Sequence, residues 1–100
     1  MAKYLDVIAE FAANFHGSDI PDEICDKTKL ILTDSIGAIV GGAAEPEIRA
    51  LTDRLCNRDN GASRVLGMGR KAEPALAALL NGSAGTFLEM DEGNQFCKGH

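Results

Sequence analysis

The sequence has little of what several large function classes require. Its 10 Lys and Arg residues are outnumbered by 15 Asp and Glu, which leaves a net charge of −5, and the basic residues are scattered instead of gathered on one stripe. Nucleic-acid binding needs a basic footprint to neutralise phosphates, so no nucleic-acid partner is expected. Long apolar runs are missing too: the longest, around Ile36 to Ala44, contains three glycines and is far too short to cross a bilayer, so no membrane is expected. The N-terminus, with Lys3, Tyr4, Leu5 and Asp6, carries neither the basic segment nor the continuous apolar stretch of a secretory signal, and a cytoplasmic location is the simplest expectation. Cysteines are few: Cys25, Cys56 and Cys97 are odd in number and widely spaced, which suits a reducing compartment better than a disulfide framework. Cys25 and Cys56 read as small core or near-core residues. Cys97 and His100 form a lone C-x-x-H pair without the second pair of ligands that a structural zinc site needs, and no metal is expected.

What remains is ordinary globular composition, 45% apolar and 25% charged, with no long polar tract of the kind that stays disordered. One hundred residues make one small domain with a modest core, which is short for an enzyme that must enclose a substrate.

The periodicity is helical. From Lys3 to His16 the residues Tyr4, Val7, Ile8, Phe11, Ala12 and Phe15 recur at three- and four-residue steps, and Gly17 is placed to end that helix. Pro21 sits where a first helical residue belongs, with Asp22 and Glu23 in the first turn, where the helix dipole favours negative charge. Ile24, Thr28, Ile31, Leu32, Ser35, Ile36 and Ile39 continue this second helix towards Gly41-Gly42. A third helix begins at "EPEIRALTDRLC" and is broken by "NRDNG". "SRVLGMG" has the centre of a short strand, and a fourth helix begins at "AEPALAALLNGSAGTFLEM". The fourth is unusually rich in small residues, including Ala77, Gly82, Ala84 and Gly85, which let a neighbouring backbone approach closely. Gly82 and Gly85 each cost about 1 kcal/mol of helical stability relative to alanine, so tight burial is expected to compensate.

Three places could carry chemistry. The "GMGRK" stretch, Gly67 to Lys71, lacks the spacing of either a phosphate loop or a dinucleotide fingerprint, and reads as a turn. Asp34, the polar member of "LILTDSIGAIVGG", reads as an exposed or capping carboxylate; buried, it would need a hydrogen-bonded partner. The strongest local anomaly is "GTFLEMDEGNQFCKGH", where Glu89, Asp91 and Glu92 crowd the end of the fourth helix. In a helix Glu89 and Glu92 would share a face near a C-terminus that disfavours anions. Either the carboxylates are crowded for a purpose, because such crowding lets one of them hold or move a proton near neutrality, or the helix ends before Glu89 and the acids form a solvated loop. His100 adds a group able to exchange protons near neutral pH. Spacing alone leaves both readings open.

The order "LILTDSIGAIVGG", then "VLGMGRKAEPALAALLNGSAGTFLEMDEG", then a histidine preceded by glycine, resembles the start of the MmgE/PrpD family, which includes 2-methylcitrate dehydratase, cis-aconitate decarboxylase and iminodisuccinate epimerase. The resemblance covers nearly the whole chain through the family segments "LLxDxLGxxxxG" and "NGxAxHxLDFDD". It implies an all-α fold, the N-terminal part of a large helical domain with about four helices and one short strand. Residues 1–100 would be an incomplete segment of that domain, with a smaller α/β domain encoded downstream. Carried over by position, Glu89 stands where the family often has the first Asp of its acidic motif, Asp91 matches the second and Glu92 takes the place of the third, while His100 matches the motif histidine. Thr86 replaces a common histidine, and Glu89 for Asp lengthens the reach by one methylene. In the family these positions line the active-site cleft.

The resemblance therefore implies a cofactor-independent lyase or isomerase working at a carbon next to a carboxylate in a small polycarboxylate. A 2-methylcitrate-dehydratase-like reaction comes first, with an epimerase or decarboxylase as the alternative and homodimers as the common assembly. Asp91 and His100 are expected to move protons or orient substrate, with Glu89 and Glu92 tuning them. The rival from another class is a helical interaction module whose apolar faces dock on a partner and whose acidic end is a solvated rim.

Overall fold

Among the described residues, prolines set three of the four α-helix starts. The structure, a computed structural model, describes residues 2–56, 60–96 and 98–99. Helix α1 spans Lys3–Asn14 and is followed by a single 3-10 turn at Gly17–Asp19; α2 spans Asp22–Ala43 and α3 spans Pro46–Leu55. A two-stranded antiparallel hairpin, β1 Ser63–Val65 with β2 Arg70–Ala72, precedes α4, Pro74–Phe87. Pro46 and Pro74 occupy the first helical turn, where a missing N–H costs nothing. Pro21 lies one residue earlier than expected, as the extended N-cap of α2, and Asp22 and Glu23 follow in the first turn. Helix α1 ends two residues short of His16: Phe15 turns extended, and Gly17 opens the 3-10 turn that the His16 N–H and Asp19 Oδ2 close at 2.8 Å.

The expected single strand is a hairpin. Val65 and Ala72 face the core, and Ser63 pairs with Ala72 and Val65 with Arg70. The connecting turn is possible because Gly67 and Gly69 take φ of 79° and 64°, a left-handed conformation that side-chain-bearing residues rarely adopt. A Cβ on Gly67 would also stand 2.8 Å from the Ala43 Cβ, so the turn sits directly on the end of α2. Asn81 of α4 clamps the hairpin from below: its Oδ1 accepts from the Leu66 N–H at 2.9 Å and its Nδ2 donates to the Arg64 carbonyl at 3.0 Å.

The core lies in the C-terminal two-thirds of the chain. One cluster gathers Cys56, Val65, Ala72, Ala77 and Leu80; a second gathers Ala43, Ile48 and Ala84; Met68 packs against both. Helices α2 and α4 meet through small residues. A Cβ on Gly42 would lie 1.9 Å from the Ala84 carbonyl oxygen, so at this point the two backbones are in contact. Gly85 accommodates the Ile39 side chain, whose Cγ1 would lie 3.1 Å from an added Cβ. The close approach expected of the small-residue helix is thus present at Ala84 and Gly85. It is not present at Gly82, which is exposed and would meet nothing within 4 Å, so its helical cost is not offset by burial among the described residues.

Helix α1 has the amphipathic stripe its periodicity demands, yet it packs against no other helix or strand among the described residues. Tyr4, Val7, Ile8 and Phe11 are each at least 60% exposed, and the aromatic contact of Phe11 with Phe15, at 5.1 Å between ring centroids, lies along the stripe itself. The outer half of α2 is also bare, with Ile24, Leu30 and Leu32 more than half exposed. A radius of gyration of 17.1 Å follows, against about 13 Å for a compact domain of this length.

Candidate functional site

The acidic cluster lies just beyond α4. The helix ends at Phe87, Leu88 caps it, and Glu89 takes φ 53° with its N–H bonded to the Thr86 carbonyl at 3.1 Å. This left-handed residue redirects the chain, so Glu89 and Glu92 do not share a helix face as a continued helix would require. The expectation of a loop at this point holds. A uniformly solvated loop does not describe it, because Asp91 is half-buried with one carboxylate oxygen closed off from solvent.

After the turn the chain folds back across α2. Ser35 Oγ donates to Glu92 Oε2 at 3.0 Å, tying the loop to the middle of that helix. The result is a cleft of ≈ 190 Å³ between α2 and α4, with Ser35 and Ile39 on one wall, Asn81, Gly82, Gly85 and Thr86 on the other, and Asp91 with Glu92 across its end. Beyond it the loop closes on itself: the Asn94 N–H donates to the Gly99 carbonyl at 2.6 Å and the Phe96 N–H to Asn94 Oδ1 at 2.8 Å.

Of the four residues expected to act together, the structure brings two to the cleft, Asp91 and Glu92. Glu89 is exposed and outside the lining. His100 lies outside the described residues, and so does Cys97, the other half of the C-x-x-H pair. Among the described residues no group of three His, Cys, Asp or Glu side chains converges as metal ligands would. No Lys or Arg is among the described residues lining the cleft. No described helix is long and apolar enough to cross a membrane.

The other two candidate places take no part. Asp34 is exposed on α2. Within "GMGRK", Arg70 turns inward, donating from Nη1 to Asp53 Oδ1 at 2.7 Å and from Nη2 to the Cys56 carbonyl, so its charge serves the link between hairpin and α3. Cys56 is buried with its thiol directed to the Lys71 carbonyl at 3.2 Å, in keeping with a core role. Two residues of the cleft escaped the sequence reading. Asn81 belongs to an Asn-Gly pair that ordinarily signals a turn, yet here it is helical; Ser35 has no local signal, because its partner lies 57 residues away.

The MmgE/PrpD N-terminal domain matches residues 6–94, a span that runs from α1 through the acidic loop. The chain belongs to the MmgE/PrpD family. The four helices and short hairpin of the described residues accordingly belong to the N-terminal helical domain of that family. Cis-aconitate decarboxylase from Aspergillus terreus is 29% identical over 86 residues, which is 85% of this chain and 18% of that enzyme. The cis-aconitate decarboxylase of A. terreus strain NIH 2624 / FGSC A1156 aligns over the same length at the same identity. This MmgE/PrpD chain therefore spans under a fifth of the length of the curated relatives it matches. No solved structure matches it.

Proposed function

We propose that this chain is the N-terminal part of a cofactor-independent lyase that acts at a carbon next to a carboxylate in a small polycarboxylate, with a 2-methylcitrate-dehydratase-like loss of water as the reaction. The single observation that carries the reading is the placement of Asp91. Of the carboxylates in the acidic cluster it is the half-buried one, it stands at the end of a cleft between two packed helices, and it lies within the residues 6–94 that match the family's N-terminal domain. A carboxylate drawn out of bulk water and held against packed helices is suited to accept a proton from a weak carbon acid or to orient the group that leaves.

The cleft lined by these residues is acidic. A polycarboxylate needs cationic or hydrogen-bonding anchors to offset its charge and the charge that develops next to its carboxylate as the proton departs. In this reading residues 1–100 supply one wall of the site, with Asp91 and His100 as the proton-transfer pair, and the anchors come from the further sequence that the relatives' greater length implies. In this reading His100 supplies the second proton-exchanging group, because an imidazole is the side chain whose ordinary range lies nearest neutral pH.

A second reading, decarboxylation of the same substrate class, is favoured by one observation, the two cis-aconitate decarboxylases among the relatives. Both reactions begin from a polycarboxylate and differ in what leaves, water or carbon dioxide. Assaying the full-length protein against a panel of small di- and tricarboxylates, with product identity read by NMR, separates them. Loss of water from a hydroxylated tricarboxylate supports the first reading, and release of carbon dioxide supports the second. An absence of turnover across the panel refutes both and leaves the helical interaction module as the account of the exposed apolar faces of α1 and α2.

A further inference from the structure

The serine on the cleft's α2 wall behaves differently from the other hydroxyl residues of its helix. Thr28 and Thr33 return their hydroxyls to their own helix, donating to the carbonyls of Ile24 at 2.8 Å and Lys29 at 2.7 Å, the usual outcome for a hydroxyl residue in mid-helix. Ser35 donates outward instead, to Glu92 Oε2 at 3.0 Å. It does so from a defined place. Ser35, Ile39 and Gly42 are spaced along one face of α2. Gly42 meets the Ala84 backbone and Ile39 meets Gly85, so the stripe that packs against α4 ends in a hydroxyl that meets the acidic loop. The helix contact beneath it is fixed by backbone proximity, which makes Ser35 a rigid donor and Glu92 the partner that is oriented.

We propose that Ser35 is a positioning residue of the site: by engaging Oε2 it holds the Glu92 carboxylate at the end of the cleft with Asp91, where that carboxylate can meet a polycarboxylate substrate. The proposal rests on the reading of Asp91 and Glu92 as parts of an active site. Without the bond Glu92, an exposed side chain at the start of a loop, samples several rotamers and reaches its working position only part of the time. The role is one of geometry and not of chemistry, since the serine hydroxyl acts through Glu92.

The test uses the full-length protein and the polycarboxylate it turns over best. Ser35→Ala is expected to lower kcat about tenfold with little change in KM, the size that one hydrogen bond to a charged group can carry. Ser35→Thr, which keeps the hydroxyl, is expected to recover most of the loss. In a Glu92→Ala background, Ser35→Ala is expected to have no further effect, because the group it orients is gone. Thermal unfolding of each variant shows whether the fold is kept, and Ser35→Thr with Glu92→Ala carry the test where Ser35→Ala does not fold. Equal losses from Ser35→Ala in both backgrounds, or a Ser35→Thr variant as impaired as Ser35→Ala, overturn the positioning role. Asp91→Asn serves as the separate control: near-normal turnover there overturns the site reading itself, whereas a large loss there beside an unimpaired Ser35→Ala overturns the Ser35 proposal alone.

Discussion

Gly42→Ala adds one methyl group at the point where α2 and α4 touch, and its cost can be worked from the structure. The new Cβ would lie 1.9 Å from the Ala84 carbonyl oxygen and 2.7 Å from its carbon, both backbone atoms that no side-chain rotation can move. Restoring ordinary contact at 3.4 Å requires the helices to part by about 1.5 Å, which forfeits about half or more of the dispersion attraction for the atoms that lose contact. Overpacking of this kind costs about 1–3 kcal/mol, and a backbone clash belongs at the upper end. Replacing a mid-helix glycine by alanine returns about 1 kcal/mol through helix propensity. The net expectation is a loss of about 2 kcal/mol, or about 10 °C in Tm for a folding unit of this size. Gly82→Ala is the internal control: it lies in α4, is exposed and meets nothing within 4 Å, so the propensity gain of about 1 kcal/mol should appear undiminished. Urea denaturation monitored by circular dichroism, with hydrogen exchange of the α2 and α4 amides to localise the change, reads both. A Gly42→Ala protein as stable as its parent would refute the backbone contact on which the cleft geometry depends.

Other substitutions test separate parts of the account. Asn81→Ala removes one half-buried and one exposed hydrogen bond to the hairpin and should cost about 1 kcal/mol, seen as faster hydrogen exchange of the Leu66 amide. Asp53→Ala breaks an ion pair whose carboxylate is 75% exposed and should change stability by less than about 1 kcal/mol in urea denaturation, with the remainder of the Arg70 anchor intact. In the full-length protein His100→Ala should reduce turnover by orders of magnitude without changing the circular dichroism spectrum.

The legible parts of the fold were those written locally. Pro46 and Pro74 mark helix starts because their chemistry fixes the first turn, and the period of Tyr4, Val7, Ile8 and Phe11 specifies a helix whether or not anything covers it. The small residues of α4 announced a close neighbour, and Ala84 and Gly85 have one. Composition could not say which small residue faces that neighbour, and this is why Gly82 was expected to be buried and is not. The second strand escaped because "RKA" is three residues long and mostly charged; its pairing comes from the turn that Gly67 and Gly69 permit. The end of α4 was open for a similar reason. Gly85, the residue best suited to terminate a helix, lies inside it, while Glu89 adopts the left-handed conformation that glycine usually supplies.

Within the candidate site, the sequence showed an excess of carboxylates and the structure sorts them. Asp91 and Glu92 line the cleft, and Glu89 turns the chain and stays in solvent. No spacing rule separates these three, because the separation depends on a turn conformation and on a serine far away in the chain. The bare faces of α1 and outer α2 carry the same lesson at the level of the domain, since amphipathic periodicity tells which side of a helix is apolar and not what lies against it.

The central claim is that Asp91 takes part in chemistry at a carbon next to a carboxylate. It is tested most directly by the turnover of a small polycarboxylate by the full-length Asp91→Asn protein beside its parent, with matched circular dichroism spectra. The account predicts a fall of orders of magnitude in kcat with the fold intact; turnover within a few-fold of the parent would contradict it.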